Sequence, residues 1–109
     1  KKTHENHPCA VWVRKTRENY LWAINYGLGL CRWFTETRKK THGCESIIDW
    51  AKHSVDKLQF KETGLKSFAL AMPDQYKCID PVLSYQSYFK GEKKKLAIWE
   101  QGAPDWWGV

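Results

Sequence analysis

The sequence predicts an all-α fold: a compact single-domain bundle of about four helices with an aromatic and basic C-terminal tail. Three observations carry this. Tyr20, Ile24, Leu28, Cys31 and Phe34 recur at spacings of three and four, as one buried helical face requires. Two proline-led starts, His7-Pro8 and Asp80-Pro81, place proline where a first helical turn tolerates it. No alternating apolar–polar stretch of useful length and no internal repeat appears.

Taken in order, Pro8 opens a short helix through Cys9-Ala10-Val11-Trp12-Val13-Arg14-Lys15, about two turns long. Thr16 then caps a longer helix from Arg17 to about Arg38. Besides its first apolar stripe, that helix carries a second, Trp22, Tyr26, Leu30 and Trp33. A helix apolar on two sides is expected to be central and covered on both. Gly27 and Gly29 cost helix propensity, so they are expected where a neighbouring helix comes close. Arg38, Lys39 and Lys40 fall in the last turn, where cations oppose the helix dipole. His42-Gly43 breaks the helix, and Cys44 to Leu58 reads as a third helix with Ile47, Ile48, Ala51, Val55 and Leu58 inward. Residues 59–77 are irregular, with turn signals at Thr63-Gly64 and Met72-Pro73-Asp74. Asp80 caps a fourth helix running at least to Phe89, with Val82, Tyr85 and Phe89 inward.

A chain of 109 residues is one domain's length, and buries roughly two-thirds of its unfolded surface. Eighteen Lys and Arg against twelve Asp and Glu give a net +6, which speaks to polyanionic partners rather than to fold. No apolar run approaches the ~20 residues that cross a bilayer. The start, Lys1-Lys2-Thr3-His4-Glu5-Asn6-His7, is not followed by a signal-peptide core. A cytoplasmic location without membrane contact is the expectation. The four cysteines, Cys9, Cys31, Cys44 and Cys78, read as buried thiols of a reducing compartment. The chain does not begin with Met, and the expectation is that it lacks an N-terminal segment.

Motifs for catalysis are sparse. There is no Gly-rich phosphate loop, Gly-x-Ser-x-Gly elbow or HExxH, and no cofactor is expected. His7 with Cys9 and His42 with Cys44 suggest zinc only weakly, and no metal is expected. Asp74, after Pro73, reads as a turn residue.

The aromatic pattern points further. Of seven tryptophans, three fall in Ile98-Trp99-Glu100 and Pro104-Asp105-Trp106-Trp107, after the cationic run Lys90-Gly91-Glu92-Lys93-Lys94-Lys95. Lysines supply charge against phosphate, and indoles supply flat faces for an unpaired base. The alternative is that Trp106 and Trp107 fold back and seal a small core. Cationic and amide groups also recur at element ends: Asn6, His7, Arg14, Asn19, Lys40, His42 and Lys77. If those ends converge, they form an anion site.

Several segments together resemble a family of small phage-encoded proteins. They are His4-x-Asn6-His7-Pro8-Cys9-Ala10-Val11-Trp12-Val13-Arg14, Arg17-x-Asn19-Tyr20-x-Trp22, Arg38-Lys39-Lys40-Thr41-His42, Phe68-Ala69-Leu70-Ala71-Met72-Pro73-Asp74-x-Tyr76-Lys77, Asp80-Pro81-Val82-x-x-Tyr85 and Pro104-x-Trp106-Trp107. Members of that family are sometimes identified as pyrimidine-dimer DNA glycosylases. The resemblance implies an all-α fold, DNA as partner, and an aromatic, basic C-terminal segment that lies on it. It also implies an amine nucleophile at the N-terminal residue, and a helical glutamate that no residue here matches.

The expected DNA contacts are Arg14, Asn19, Arg38, Lys39, Lys93, Lys94, Lys95, Trp106 and Trp107. An imine-forming lyase needs an amine. The candidates are Lys1, Lys40 and Lys77, with His7 and His42 beside the last two. The resulting expectation is a phage DNA-binding, repair-type protein. The alternatives are a non-catalytic nucleic-acid-binding accessory protein and a host-protein interaction module using exposed Trp.

Overall fold

A computed structural model describes residues 3–108. Lys1, one of the candidate amines, lies outside them. Four α-helices form: α1 (Pro8–Lys15), α2 (Arg17–Arg38), α3 (Glu45–His53) and α4 (Pro81–Glu92). Short 3-10 turns stand at Val55–Lys57, Asp74–Tyr76, Lys94–Leu96 and Asp105–Gly108. Among the described residues there is no strand, only an isolated bridge between Thr16 and Glu62. The chain divides into two compact units, Lys1–Lys66 and Ser67–Val109, each described by itself.

In the first unit, α2 lies against α1 and α3. His7 opens α1 by accepting the Cys9 N–H on Nδ1 at 3.1 Å. Thr16 opens α2 by accepting the Asn19 N–H on Oγ1 at 2.9 Å, so one side chain satisfies a donor the helix itself leaves orphaned. Lys39 closes α2 in the left-handed region (φ 57°), its N–H on the Thr35 carbonyl. Gly27 faces Ile48 of α3, and a β-carbon there would stand 3.2 Å from the Ile48 Cδ1. The expected close approach is therefore real at Gly27. Gly29 has only its own helix's Arg32 nearby. Tyr20 Oη adds a tie to α3, donating to the Ala51 carbonyl at 2.7 Å.

The first stripe of α2 is inward, with Ile24 and Cys31 buried. The second is not covered as expected: Tyr26 is 57% exposed, Leu30 52% and Trp33 46%. Trp22 stacks on Tyr26, centroids 5.3 Å apart and planes within 7°. The expected third helix is shorter, because Ser54 turns it. The Ser54 N–H reaches the carbonyls of Trp50, Lys52 and Ala51, and its Oγ donates back to the Trp50 carbonyl at 2.9 Å. Such back-bonding competes with helix continuation. Val55 is buried in the 3-10 turn that follows, whereas Ile47 and Leu58, expected inward, are exposed. Of the four thiols only Cys31 is buried; Cys9, Cys44 and Cys78 are exposed.

In the second unit Asp80 caps α4 as expected, its Oδ1 accepting the Val82 N–H at 2.8 Å. The inward face differs from the expected one. Ser84, not Val82, is fully buried. Its Oγ accepts the Cys78 N–H at 2.9 Å and donates to the Asp80 carbonyl at 2.9 Å. Tyr85 holds the 69–71 segment, its hydroxyl donating to the Ala69 carbonyl at 2.5 Å and accepting the Ala71 N–H at 3.2 Å.

Gly91 lies within α4, and the ring of Tyr76 occupies the space a side chain would need. An added β-carbon would meet the Tyr76 Oη, Cε1 and Cζ at 2.5, 2.8 and 2.9 Å. Gly91→Ala will therefore cost about 1–3 kcal/mol through overpacking, despite alanine's better helix propensity. Urea unfolding monitored by circular dichroism measures it; a stabilised variant would refute the close approach.

Candidate nucleic-acid interface

The second unit gathers cations and indoles at the end of α4. The helix stops at Glu92, and the Lys93 N–H closes it on the Phe89 carbonyl at 2.9 Å. A 3-10 turn, Lys94–Leu96, follows. Then the chain reverses at Gly102, whose φ of 91° suits glycine; its N–H bonds the Trp99 carbonyl at 3.1 Å. The reversal returns Trp106 and Trp107 to Trp99. All three indoles meet edge to face, with centroids 6.5 Å (Trp99–Trp106), 5.2 Å (Trp99–Trp107) and 5.7 Å (Trp106–Trp107) apart. Such pairs are worth about 0.5–1.5 kcal/mol each beyond their burial. Trp106 and Trp107 are half-buried, so the tail both folds back and keeps indole surface in contact with solvent.

Two clefts share Trp107. One, of about 420 Å³, is lined by Lys90, Lys94, Trp107 and Gly108. The other, of about 260 Å³, is lined by Phe89, Lys93, Leu96, Ala97, Trp99 and Trp106. Lys93 Nζ sits 5.5 Å above the Tyr88 ring, a cation–π contact. Lys94 and Lys95 are exposed. Of the expected contacts, then, Lys93, Lys94, Trp106 and Trp107 come together here. Lys90, the first residue of the cationic run, joins them, and so does Phe89, which was expected only as an inward residue of α4. Lys90 stands in the last turn of α4 and Lys94 in the 3-10 turn after it, and both line the larger cleft.

The first unit holds the remaining candidates, with different outcomes. Asn19 is not a ligand-facing residue. It is fully buried; its Nδ2 donates to the Trp12 carbonyl at 2.8 Å and its Oδ1 accepts the Lys66 N–H at 2.9 Å. A side chain with every polar atom occupied inside the protein has nothing left for a phosphate. The Arg14 Nη1 donates to the Glu5 carbonyl at 2.6 Å, tying down the segment before α1. Arg38 lies over the Trp33 ring, 5.6 Å from its centroid. Lys39 and Lys40 continue that cationic end of α2 and are exposed.

The candidate catalytic residues have local duties. His7 caps α1. His42 accepts the Cys44 N–H on Nδ1 at 3.0 Å and meets Phe34 edge on at 4.8 Å. His42 lines two clefts of the first unit, one with Arg32, Glu45 and Asp49 and one with Cys31 and Cys44. Neither includes His7 or Lys40. Lys77 belongs to the second unit, where its Nζ is 2.9 Å from Asp74 Oδ1. Burial pushes the Cys31 thiol above its ordinary pKa, and Glu45 and Cys44 add to that. Among the described residues no group of three or more His, Cys, Asp or Glu is placed to hold a metal, and no helix is long and apolar enough to cross a membrane.

Charge divides unevenly. Residues 1–66 hold thirteen Lys and Arg against seven Asp and Glu; residues 67–109 hold five against five. The net +6 therefore resides in the first unit, and the second has no net charge. Comparison with known proteins gives no match: no family model, curated protein or solved structure matches this chain.

Proposed function

We propose that this chain is a DNA-binding, repair-type protein of a phage, working in the host cytoplasm, that grips its ligand through the lysine and indole corner of the second unit. The observation that supports this most is the pair of clefts sharing Trp107, one cationic and one apolar. Phosphate contacts supply affinity and base contacts supply discrimination, and both kinds of group are present there. The +6 of the first unit adds a sequence-independent attraction.

Binding is then electrostatic first. Each lysine that meets a phosphate contributes about −0.9 to the slope of log affinity against log salt on duplex, and about −0.7 on a single strand. Replacing Lys93 and Lys94 by Gln will flatten that slope by about 1.4–1.8. Fluorescence anisotropy between low and physiological salt measures it. A wild-type affinity indifferent to salt would end the proposal.

Strand cleavage is the finer question, and borohydride reduction on abasic DNA addresses it. With Lys77 ion-paired to Asp74, His7 capping α1 and His42 holding the Cys44 N–H, no trapped adduct is the expected result. An adduct lost in Lys40→Ala or Lys77→Ala would restore the lyase reading. A second reading, docking of a protein partner, is favoured by one observation: Tyr26, Leu30 and Trp33 stand exposed along α2, with Ile47 and Trp50 exposed on α3. It predicts partner binding that salt leaves unchanged.

A further inference from the structure

The two clefts that share Trp107 differ in chemistry, and a ligand filling both must carry an anionic group next to an apolar ring. Lys90 and Lys94 line the larger, while Phe89, Leu96, Trp99 and Trp106 line the smaller. The smaller has about 260 Å³. A single base ring system is small enough to lie in a cleft of that size. A base inside a duplex has both faces stacked and offers a protein only its edges. It reaches a concave apolar pocket only after it has left the stack.

We infer that this corner takes one unpaired nucleotide of a DNA strand, its phosphate beside Lys90 and Lys94 and its base against Trp107 in the apolar cleft. The inference rests on the DNA-binding reading above and sharpens it to a class of ligand. Three features support it. The second unit has no net charge, so its own hold on a phosphate rests on the lysines that line the cleft and not on a unit-wide excess of charge. Lys94 is exposed and lines the cationic cleft. The three indoles brace one another edge to face, which holds Trp107 in place before a base arrives.

The test uses the full chain and three probes of equal length: single-stranded oligothymidylate, the same strand in duplex, and an abasic tetrahydrofuran strand with the same phosphates. Affinities are read by anisotropy at one fixed salt concentration. The single strand is expected to bind about five- to a hundredfold more tightly than the abasic strand, the span that stacking of one base delivers, and more tightly than the duplex. Trp107→Leu keeps apolar bulk but removes the π face, and will erase that preference. Lys94→Gln, at an exposed position, will weaken single and abasic strands alike. Equal binding of the single and abasic strands, or tighter duplex binding, would overturn the nucleotide pocket and leave DNA binding standing. Absence of binding to all three probes would remove both. The wild-type comparison alone decides between these outcomes, whatever the variants do to the fold.

Discussion

Trp12→Ala will lower the unfolding free energy by about 3–5 kcal/mol, the range for truncating a buried tryptophan. Trp12 is the one tryptophan classed as buried among the described residues. Its ring meets Trp22 edge on at 5.7 Å, and its Nε1 donates to the Lys66 carbonyl at 3.2 Å. The alanine variant leaves a cavity where α1 meets α2, and it strands that carbonyl. Equilibrium urea unfolding of the full chain measures the loss. A change below about 1 kcal/mol, the scale of a surface substitution, would show that the indole is not a core element.

Asn19→Leu comes next, at about 2–5 kcal/mol. The asparagine is a clasp: it holds the Trp12 carbonyl on one side and the Lys66 N–H on the other, while Trp12 holds the Lys66 carbonyl. Both backbone groups of Lys66 thus depend on two side chains from the α1–α2 corner. Leucine has the same branched skeleton but puts methyl groups where Asn19 has its polar atoms, so two backbone groups lose partners at about 1–3 kcal/mol each. Because Trp12 and Asn19 serve the same loop, the double variant will lose less than the sum of the singles. Strict additivity would mean that the clasp does not act as a unit.

Much of the helical framework was legible in the chain. The bounds of α2 followed from the spacing of Tyr20, Ile24, Leu28, Cys31 and Phe34 together with the Thr16 cap. The starts of α1 and α4 followed from proline at the first helical position. What the pattern did not reveal has physical causes. An apolar stripe announces an affinity for apolar surroundings, not their presence; hence Tyr26 and Leu30 read as core and stand exposed. Ser84 sits at the buried face of α4 because its hydroxyl is fully engaged with backbone, and a hydrophobic pattern cannot register a satisfied polar group. Asn19 read as a ligand contact for the same reason. Its place one turn into α2, three residues after the cap, was the available signal that it reaches back to the preceding segment.

The candidate site was legible in part. Lys93, Lys94, Trp106 and Trp107 were singled out from charge beside indole. Only the reversal at Gly102 and the continuation of α4 past Phe89 reveal that Lys90 and Phe89 complete the two clefts.

The most direct test of the central claim is a DNA titration followed through the seven tryptophan indole N–H resonances in a nitrogen–proton correlation spectrum. Single-stranded DNA is predicted to move the signals of Trp107, Trp106 and Trp99 first and furthest, with those of Trp22, Trp33 and Trp50 nearly still. Shifts confined to the indoles of α2 and α3, or none at saturating DNA, would contradict it.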